Sequence, residues 1–422
     1  MKIKVLKGGL LYNILINLSG EIVGKILILV ASIYLARTLG TKNYGVWSIA
    51  SVVLAYLFII VDCGLTIYGT RHVSYSLNRI YKTIGNIIVL RLSLAIIVSS
   101  IIFIITMVVS KYLYNEKWIV VFGLLSILTI NLIAYSLTLD WLAKGIKRFD
   151  VSSFSFSISS LVFLIGCIFV SNGSEIYKVA IIKSVSSVLM AVIIAIWLIN
   201  IRAPTIRFLI NKISPKSWSH ILRESIFIAG SAIMAKFYFN LDILIIGIYW
   251  DASMVGIYSG LGLFFTSALV IRAGLISVLL PHLSSIQKKG KKAVKAFVNR
   301  SSLYGMAIGL LLIVFFLLFG KYTVLILLGD DYLKHNAEFV LIILMTTAAF
   351  MFINLLPATL LYTVGLTRHV FIITSIGAAT NIIGNILYIP LYGMKAAALT
   401  TLLSEIIVAL GCILVAKQKN VY

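Results

Sequence analysis

Five basic side chains lie inside long apolar stretches of the sequence. They are Lys25, Arg91, Lys183, Lys236 and Arg272. An ionisable group at the centre of a membrane helix costs at least ~2.5 kcal/mol, so such a group usually faces a wet cavity or a charged partner. Buried cations form strong charge-assisted hydrogen bonds with anions. These five residues are therefore predicted to bind an anionic ligand.

Acidic side chains at similar depth are fewer. Glu21, Asp242 and Glu405 lie well inside apolar runs, and Asp62 lies closer to the end of one. Each could simply pair with a cation; Glu21, for example, lies one helical turn before Lys25. The functional alternative is a group that takes up a proton or Na⁺, so these four residues are the candidates for ion coupling.

For two of the cations, a structural interpretation without ligand binding stays open. Arg91 and Lys183 lie roughly 10–15 Å from the nearer ends of their helices, close enough for the side chains to reach the headgroups. Arg272 lies roughly 18 Å deep, where this is difficult. Five cations against three deep anions favour a cavity for an anion over one for a cation.

The residue types and their spacing give little support for metal binding, catalysis or nucleotide binding. Three cysteines and five histidines are scattered, without the spacing of a metal site. We find no nucleophile constellation, glycine-rich phosphate loop or nucleotide-binding motif. The sequence therefore predicts no enzyme, no resident cofactor and no metal.

The composition places these residues in a membrane. Of 422 residues, 61% are hydrophobic and 12% charged. A soluble domain keeps roughly a quarter of its residues charged, so an ordinary soluble enzyme is excluded. The net charge of +23 does not indicate nucleic-acid binding, because the basic residues lie between apolar runs long enough to cross a bilayer.

The apolar runs predict an all-α integral membrane protein with twelve transmembrane helices. When residues in the first five positions of a predicted span are counted with the preceding loop, Lys and Arg number 23 at the N-terminus, the even loops and the C-terminus, against eight in the odd loops. This asymmetry puts both termini in the cytoplasm, with the protein in the cytoplasmic (inner) membrane. The predicted spans are residues 9–36, 45–70, 81–109, 118–143, 151–171, 177–200, 220–250, 253–283, 296–320, 336–362, 369–390 and 394–416.

The two halves of the chain resemble each other weakly. Tyr44-Gly45-Val46-Trp47-Ser48 matches Val255-Gly256-Ile257-Tyr258-Ser259 at an offset of 211 residues, and Lys25 matches Lys236 at the same offset. The predicted domains are a six-helix lobe over 1–205, a cytoplasmic linker over 206–219 and a second six-helix lobe over 220–422. Two pseudo-symmetric lobes around a central cavity can rock between inward-open and outward-open states.

Three sequence blocks resemble a known family. The first runs RTLGTKNYGVWSIASVVLAYLFIIVDCGLTIYGTRHVS, the second NLDILIIGIYWDASMVGIYSGLGLFFTSALVIRAGLISVLLPHLS and the third NIIGNILYIPLYGMKAAALTTLLSE. They resemble the polysaccharide-export branch of the multidrug/oligosaccharidyl-lipid/polysaccharide (MOP) exporter superfamily. The resemblance implies a MATE-like fold and a flippase for undecaprenyl-diphosphate-linked sugar repeat units, of the kind used for O-antigen or capsule.

The partners expected from this resemblance are the lipid-linked glycan, membrane lipids and other polysaccharide-assembly proteins. Three alternatives stay open. A multidrug exporter of the same superfamily would favour an acidic cavity, and a peptidoglycan-precursor flippase is usually longer. A membrane polysaccharide polymerase or glycosyltransferase would use outer acidic residues, of which Asp330-Asp331 is the one predicted pair.

Overall fold

The computed structural model describes residues 10–75, 80–112, 115–200, 214–287, 290–419 and 421, and every regular element among them is helical. Runs rich in Leu, Ile and Val form helices here because, in lipid, a helix satisfies its backbone polar groups internally. The helices are α1 (Leu10–Asp62), α2 (Leu65–Tyr75), α3 (Ile80–Tyr112), α4 (Glu116–Leu137), α5 (Asp140–Gly145), α6 (Phe149–Ile168), α7 (Ile176–Asn200), α8 (Trp218–Tyr249), α9 (Ala252–Gln287), α10 (Lys291–Leu327), α11 (Ala337–Ile353), α12 (Leu355–Thr363), α13 (Thr367–Tyr392) and α14 (Met394–Gln418).

The helix lengths agree with twelve crossings. Within the described residues, ten stretches are long and apolar enough to span a membrane. The first of them, Gly20–Asp62, contains two successive helices joined at Gly40, where φ is 70°. The remaining predicted crossing falls in α8, whose described apolar part, Tyr238–Tyr249, is shorter than these ten stretches. The chain is therefore a multi-pass membrane protein.

Two predicted boundaries are wrong. The predicted loop 37–44 is helical except at Gly40, because one glycine in the left-handed region suffices to turn the chain. The predicted span 45–70 ends at Asp62, and Cys63 and Gly64, both with positive φ, separate it from α2. The predicted span 336–362 agrees with the observed span Ala337–Thr363, which consists of two helices that meet at Asn354.

The chain forms two compact units. Unit 1 comprises Met1–Ala31 and Ile49–Lys236, and unit 2 comprises Ser32–Ser48 and Phe237–Tyr422. The middle of α1 thus belongs to unit 2, whereas both of its ends belong to unit 1. The predicted linker 206–219 lies mostly outside the described residues, and the predicted lobe limits stay a prediction.

Both units expose large apolar side chains along whole helices. In unit 1 these include Ile97, Phe103 and Ile104 of α3, and in unit 2 Leu311 and Leu318 of α10. Apolar patches of this extent are rare on soluble monomers and mark a surface that lipid or a partner covers. In a membrane protein, such exposed apolar faces are suited to contact with lipid.

The two members of the predicted repeat meet within unit 2. A Cβ on Gly45 would lie 1.8 Å from the carbonyl oxygen of Ala252, and one on Gly256 would lie 1.8 Å from that of Thr41. Ser253 Oγ also donates to Thr41 Oγ1 at 2.8 Å. The backbones of α1 and α9 therefore cross in direct contact, which small residues permit in membrane helices.

We predict that Gly45→Ala and Gly256→Ala each lower the unfolding midpoint of the protein, because the added methyl group collides with a backbone carbonyl. Gly262→Ala is the matched control: it lies in the same helix α9, and nothing is within 4 Å of its added Cβ. The measurement is the unfolding midpoint of each purified variant. Equal midpoints for Gly256→Ala and Gly262→Ala would contradict the close crossing.

Candidate functional site

Arg91 lies at the centre of a polar cluster in unit 1, where side chains of α1, α2, α3 and α4 meet. Its side chain is fully buried, and its guanidinium pairs with the Asp62 carboxylate and donates to Thr66 Oγ1. Tyr135 Oη donates to Asp62 Oδ1 at 3.1 Å, and the Tyr135 ring centroid lies 5.1 Å from Arg91 Cζ. We call these four residues the Arg91 cluster.

The Arg91 cluster also holds the break between α1 and α2. Asp62 Oδ1 accepts a hydrogen bond from the backbone N–H of Thr66 at 3.1 Å, which caps the first turn of α2. Because the Arg91 side chain is fully buried in the protein, it does not extend to the lipid headgroups. Because Asp62 already neutralises Arg91, the contacts favour a structural role, and its predicted role in binding stays a prediction.

Lys25 and Glu21, both in unit 1, do not form the ion pair with each other that their spacing allows. Glu21 Oε1 lies 3.5 Å from Lys144 Nζ of α5, so Glu21 pairs across helices and not with Lys25. Gly20 and Gly24 pack against α6, where Ser157 Oγ donates to the Gly20 carbonyl at 2.8 Å. Lys25 stays exposed beside this contact. It lies 15 residues from Leu10 and from Gly40, or roughly 22 Å from either end.

Two further predicted binding residues lie in unit 1. Lys183 of α7 is half-buried, and its Nζ lies 4.8 Å from the Phe163 ring centroid of α6. Cation–π contacts of this kind stabilise an ammonium where water is scarce. Lys236 lies in α8, but its side chain is outside the described part of the chain.

Arg272 and Glu405 lie in a second polar cluster, in unit 2. Arg272 Nε donates to the Met351 carbonyl at 3.1 Å, which uses one of five guanidinium donors. Glu405 is almost fully buried and accepts a hydrogen bond from Tyr238 Oη. The charges of Arg272 and Glu405 attract each other. Arg272 lies 15 residues from the end of α9, or roughly 22 Å.

Asp242 is the buried end of a chain of hydrogen bonds in unit 2. Tyr258 Oη donates to Asp242 Oδ2 and is also hydrogen-bonded to Thr401. Asn381 Nδ2 donates to Thr401 Oγ1 at 3.3 Å, and Asn385 Nδ2 donates to Asn381 Oδ1 at 3.0 Å. Thr400 then donates to Asn385 Oδ1. We call this series of hydrogen-bonded residues, which come from α8, α9, α13 and α14, the Asp242 network.

The Asp242 network offers one carboxylate among neutral amide and hydroxyl oxygens. No group of three or more His, Cys, Asp or Glu within the described residues could hold a metal ion of higher charge. A single carboxylate with neutral oxygens matches the charge of a proton or a monovalent cation. The sequence identified Asp242 but not its partners, because a neutral polar residue in a membrane helix does not by itself indicate a binding site.

Outside the membrane spans, charged groups pair locally. Lys334 Nζ donates to Asp331 Oδ1 at 2.6 Å in the turn between α10 and α11, and this hydrogen bond raises the pKa of Lys334. Asp331 is therefore half of a solvated pair, as expected for a turn rather than for a catalytic acid.

Comparisons with known proteins agree with this architecture. Residues 10–287 match the family described as "Polysaccharide biosynthesis protein". The "Putative O-antigen transporter" of Escherichia coli (strain K12) is 26% identical over 323 residues, which are 74% of this chain and 73% of that protein.

Two solved structures share the fold. The lipid II flippase MurJ in an inward closed conformation matches with a TM-score of 0.72 at 17% identity, over 96% of this chain and 88% of that one. A multidrug resistance MATE family transporter of the MOP superfamily, facing inward, matches with a TM-score of 0.71 at 13% identity, over 96% and 98%. The predicted all-α, MATE-like membrane fold is confirmed.

We predict that Asp62→Asn destabilises the protein by about 3 kcal/mol or more, because it leaves the buried Arg91 without a countercharge. Adding Arg91→Met to Asp62→Asn restores most of the loss, since no charge then remains in the cluster. Asp331→Asn, in the solvated pair, serves as the control and changes little. The measurement is denaturant unfolding of the three variants. An Asp62→Asn variant as stable as the wild type would argue against a structural role for the pair.

Proposed function

Since the chain belongs to the polysaccharide biosynthesis protein family, we propose that it is a flippase for undecaprenyl-diphosphate-linked oligosaccharide repeat units. It carries them from the inner to the outer leaflet of the cytoplasmic membrane, with both of its own termini in the cytoplasm. The name of the Escherichia coli relative and the fold shared with a lipid II flippase support a lipid-linked glycan as the cargo. The protein performs no chemistry on this cargo.

The observation that carries the proposal is the position of Lys25. It is an exposed cation at the middle of a membrane helix, and its nearest acidic neighbour in sequence, Glu21, is already paired with Lys144. A charge at this depth is tolerated where it meets water or an anion. The diphosphate of a lipid-linked sugar is an anion that must cross this depth.

Arg272 and Lys236 are the proposed partners of Lys25 in binding the headgroup. Arg272 presents a planar guanidinium that suits bidentate contact with phosphate oxygens. Lys236 is related to Lys25 by the sequence offset of 211 residues. Lys183 and Arg91 are proposed as weaker contributors, since each has a protein partner already.

The direction of movement follows from the charge of the cargo. These cations bind the diphosphate of the headgroup from the inner leaflet, while the polyprenyl tail stays in lipid. Because the inside of the cell is negative, the field favours outward movement of the anion by ~2.3 kcal/mol per charge per 100 mV. The proposed contacts involve phosphate and not sugar, so repeat units of different composition can be bound in the same way.

We further propose that a proton or Na⁺ bound at the Asp242 network drives the return step. The network joins α8 and α9 to α13 and α14, so a bound cation would stabilise one packing of these helices. Glu405 beside Arg272, Glu21 and Asp62 are secondary candidates, because each already has a cation nearby.

Competing functions predict different substrates. A multidrug exporter would bind cations, which the excess of deep basic residues opposes. A polymerase would need outer acidic groups free to react, whereas Asp331 pairs with Lys334. Other polysaccharide-assembly proteins are expected to act before and after the flipping step.

The proposal is tested with Lys25→Gln and Arg272→Gln in cells that lack the wild-type chain. Each variant is expected to lower surface polysaccharide at least about tenfold at equal protein level, since each loses a charge-assisted contact. The lipid-linked glycan should then accumulate on the cytoplasmic leaflet. Lys178→Gln, which removes an exposed lysine paired with Glu175, is the control and exports normally. Full export by both variants would refute the proposed cationic site.

Ion coupling is tested separately by Asp242→Asn in reconstituted vesicles. The variant should lose the stimulation of flipping by an imposed Na⁺ or proton gradient, and it should keep headgroup binding. Gradient-dependent flipping that is unchanged in Asp242→Asn would exclude the network as the coupling site.

A further inference from the structure

A groove opens on the side of unit 2, where the end of α13 and the starts of α11 and α14 meet. Its volume is about 680 Å³, within the range of small-molecule pockets. The apolar wall consists of Phe339, Tyr388, Tyr392, Leu399 and Leu403. These five side chains are between 44% and 64% exposed, so the groove is open along its length. We call it the Lys395 groove, after the cation at its end.

Lys395 is the charged residue that lines this groove. It is half-buried, and two acidic residues nearby are paired elsewhere: Glu338 with Lys321 at 3.8 Å and Asp331 with Lys334 at 2.6 Å. No ion pair joins Lys395 to Asp330, the third acidic residue of this region, among the described contacts. The helix dipole does not explain a lysine here, because the N-terminal end of α14 favours negative groups. The ammonium of Lys395 therefore lacks a protein countercharge among the described residues.

Asn336 and Thr400 are the uncharged amide and hydroxyl residues of the wall. Thr400 closes the inner side of the groove, and its hydroxyl donates to Asn385 Oδ1 within the Asp242 network. Charge recognition of an anionic headgroup thus depends on Lys395, and Asn336 can add a neutral hydrogen bond.

The dimensions of the groove suit a lipid. Lys395, Leu399 and Leu403 follow one another at four-residue intervals, so they line one side of α14 over roughly 12 Å. Tyr388 and Tyr392 lie at the end of α13, where tyrosines mark the level of the headgroups. A cation at headgroup level with an apolar wall leading toward the bilayer centre matches a phosphate joined to hydrocarbon chains.

We propose that the Lys395 groove is a specific binding site for an anionic phospholipid. The phosphate contacts the ammonium of Lys395, and an acyl chain lies along Leu399 and Leu403. This site is distinct from the cationic site proposed for the transported headgroup, and it stands whatever the cargo is.

The test is the thermal unfolding midpoint of the full chain in detergent, titrated with phosphatidylglycerol or with phosphatidylcholine of identical acyl chains. Phosphatidylglycerol should raise the midpoint saturably and more than phosphatidylcholine does. Lys395→Gln should raise the half-saturating concentration of phosphatidylglycerol at least about fivefold, and Lys395→Arg should retain the wild-type value. Leu403→Trp, which fills the groove and leaves the charge, should weaken both lipids.

Lys111→Gln is the matched control, because Lys111 also lies at a helix end beside a tyrosine, 5.4 Å from the Tyr112 ring centroid, but outside the groove. It should leave the phosphatidylglycerol titration unchanged. The proposal is wrong if Lys111→Gln weakens the lipid as much as Lys395→Gln does, or if wild type responds equally to both lipids. Loss of export in Lys25→Gln bears on the proposed function alone, so the two proposals fail independently.

Discussion

A charge inside a membrane must be matched by another charge, by hydrogen bonds or by a ligand, and this constraint organises both units. Arg91 is matched by Asp62, and Asp242 by the hydroxyl of Tyr258. Glu405 accepts a hydrogen bond from Tyr238. Lys25 differs from these, since it is exposed at mid-helix while Glu21 pairs elsewhere, and none of the described ion pairs includes it. A substrate anion can supply the countercharge for such a group.

The fold itself rests on close helix contacts more than on charge. The crossing of α1 and α9 needs glycine at positions 45 and 256, because in each case a backbone carbonyl occupies the space of a Cβ. Helices in lipid gain little from burying apolar surface against one another, so such van der Waals contacts have more weight than in a soluble protein. Gly45 and Gly256, which correspond to each other in the sequence repeat, are thus both contact residues of this crossing.

Much of this architecture could be predicted from the sequence, because a long apolar run satisfies its backbone hydrogen bonds in lipid by forming a helix. The breaks between helices could not be predicted. The loop predicted over 37–44 is reduced to the single residue Gly40, and Asn354 separates two helices within one continuous apolar run. The deep charges were also identifiable, since each is costly. Their partners were not, because Tyr135 and Tyr258 are ordinary residues in apolar runs and only three-dimensional packing brings them to Asp62 and Asp242.

The central claim is that Lys25 and the other proposed cations within the membrane bind an anionic lipid headgroup. The most direct measurement is flipping by purified protein in vesicles, comparing a polyprenyl-diphosphate glycan with the same glycan on an uncharged polyprenyl ether. The account predicts rapid flipping of the diphosphate, faster with an inside-negative potential, and little flipping of the neutral lipid. Equal rates for the two lipids, indifferent to potential, would contradict it.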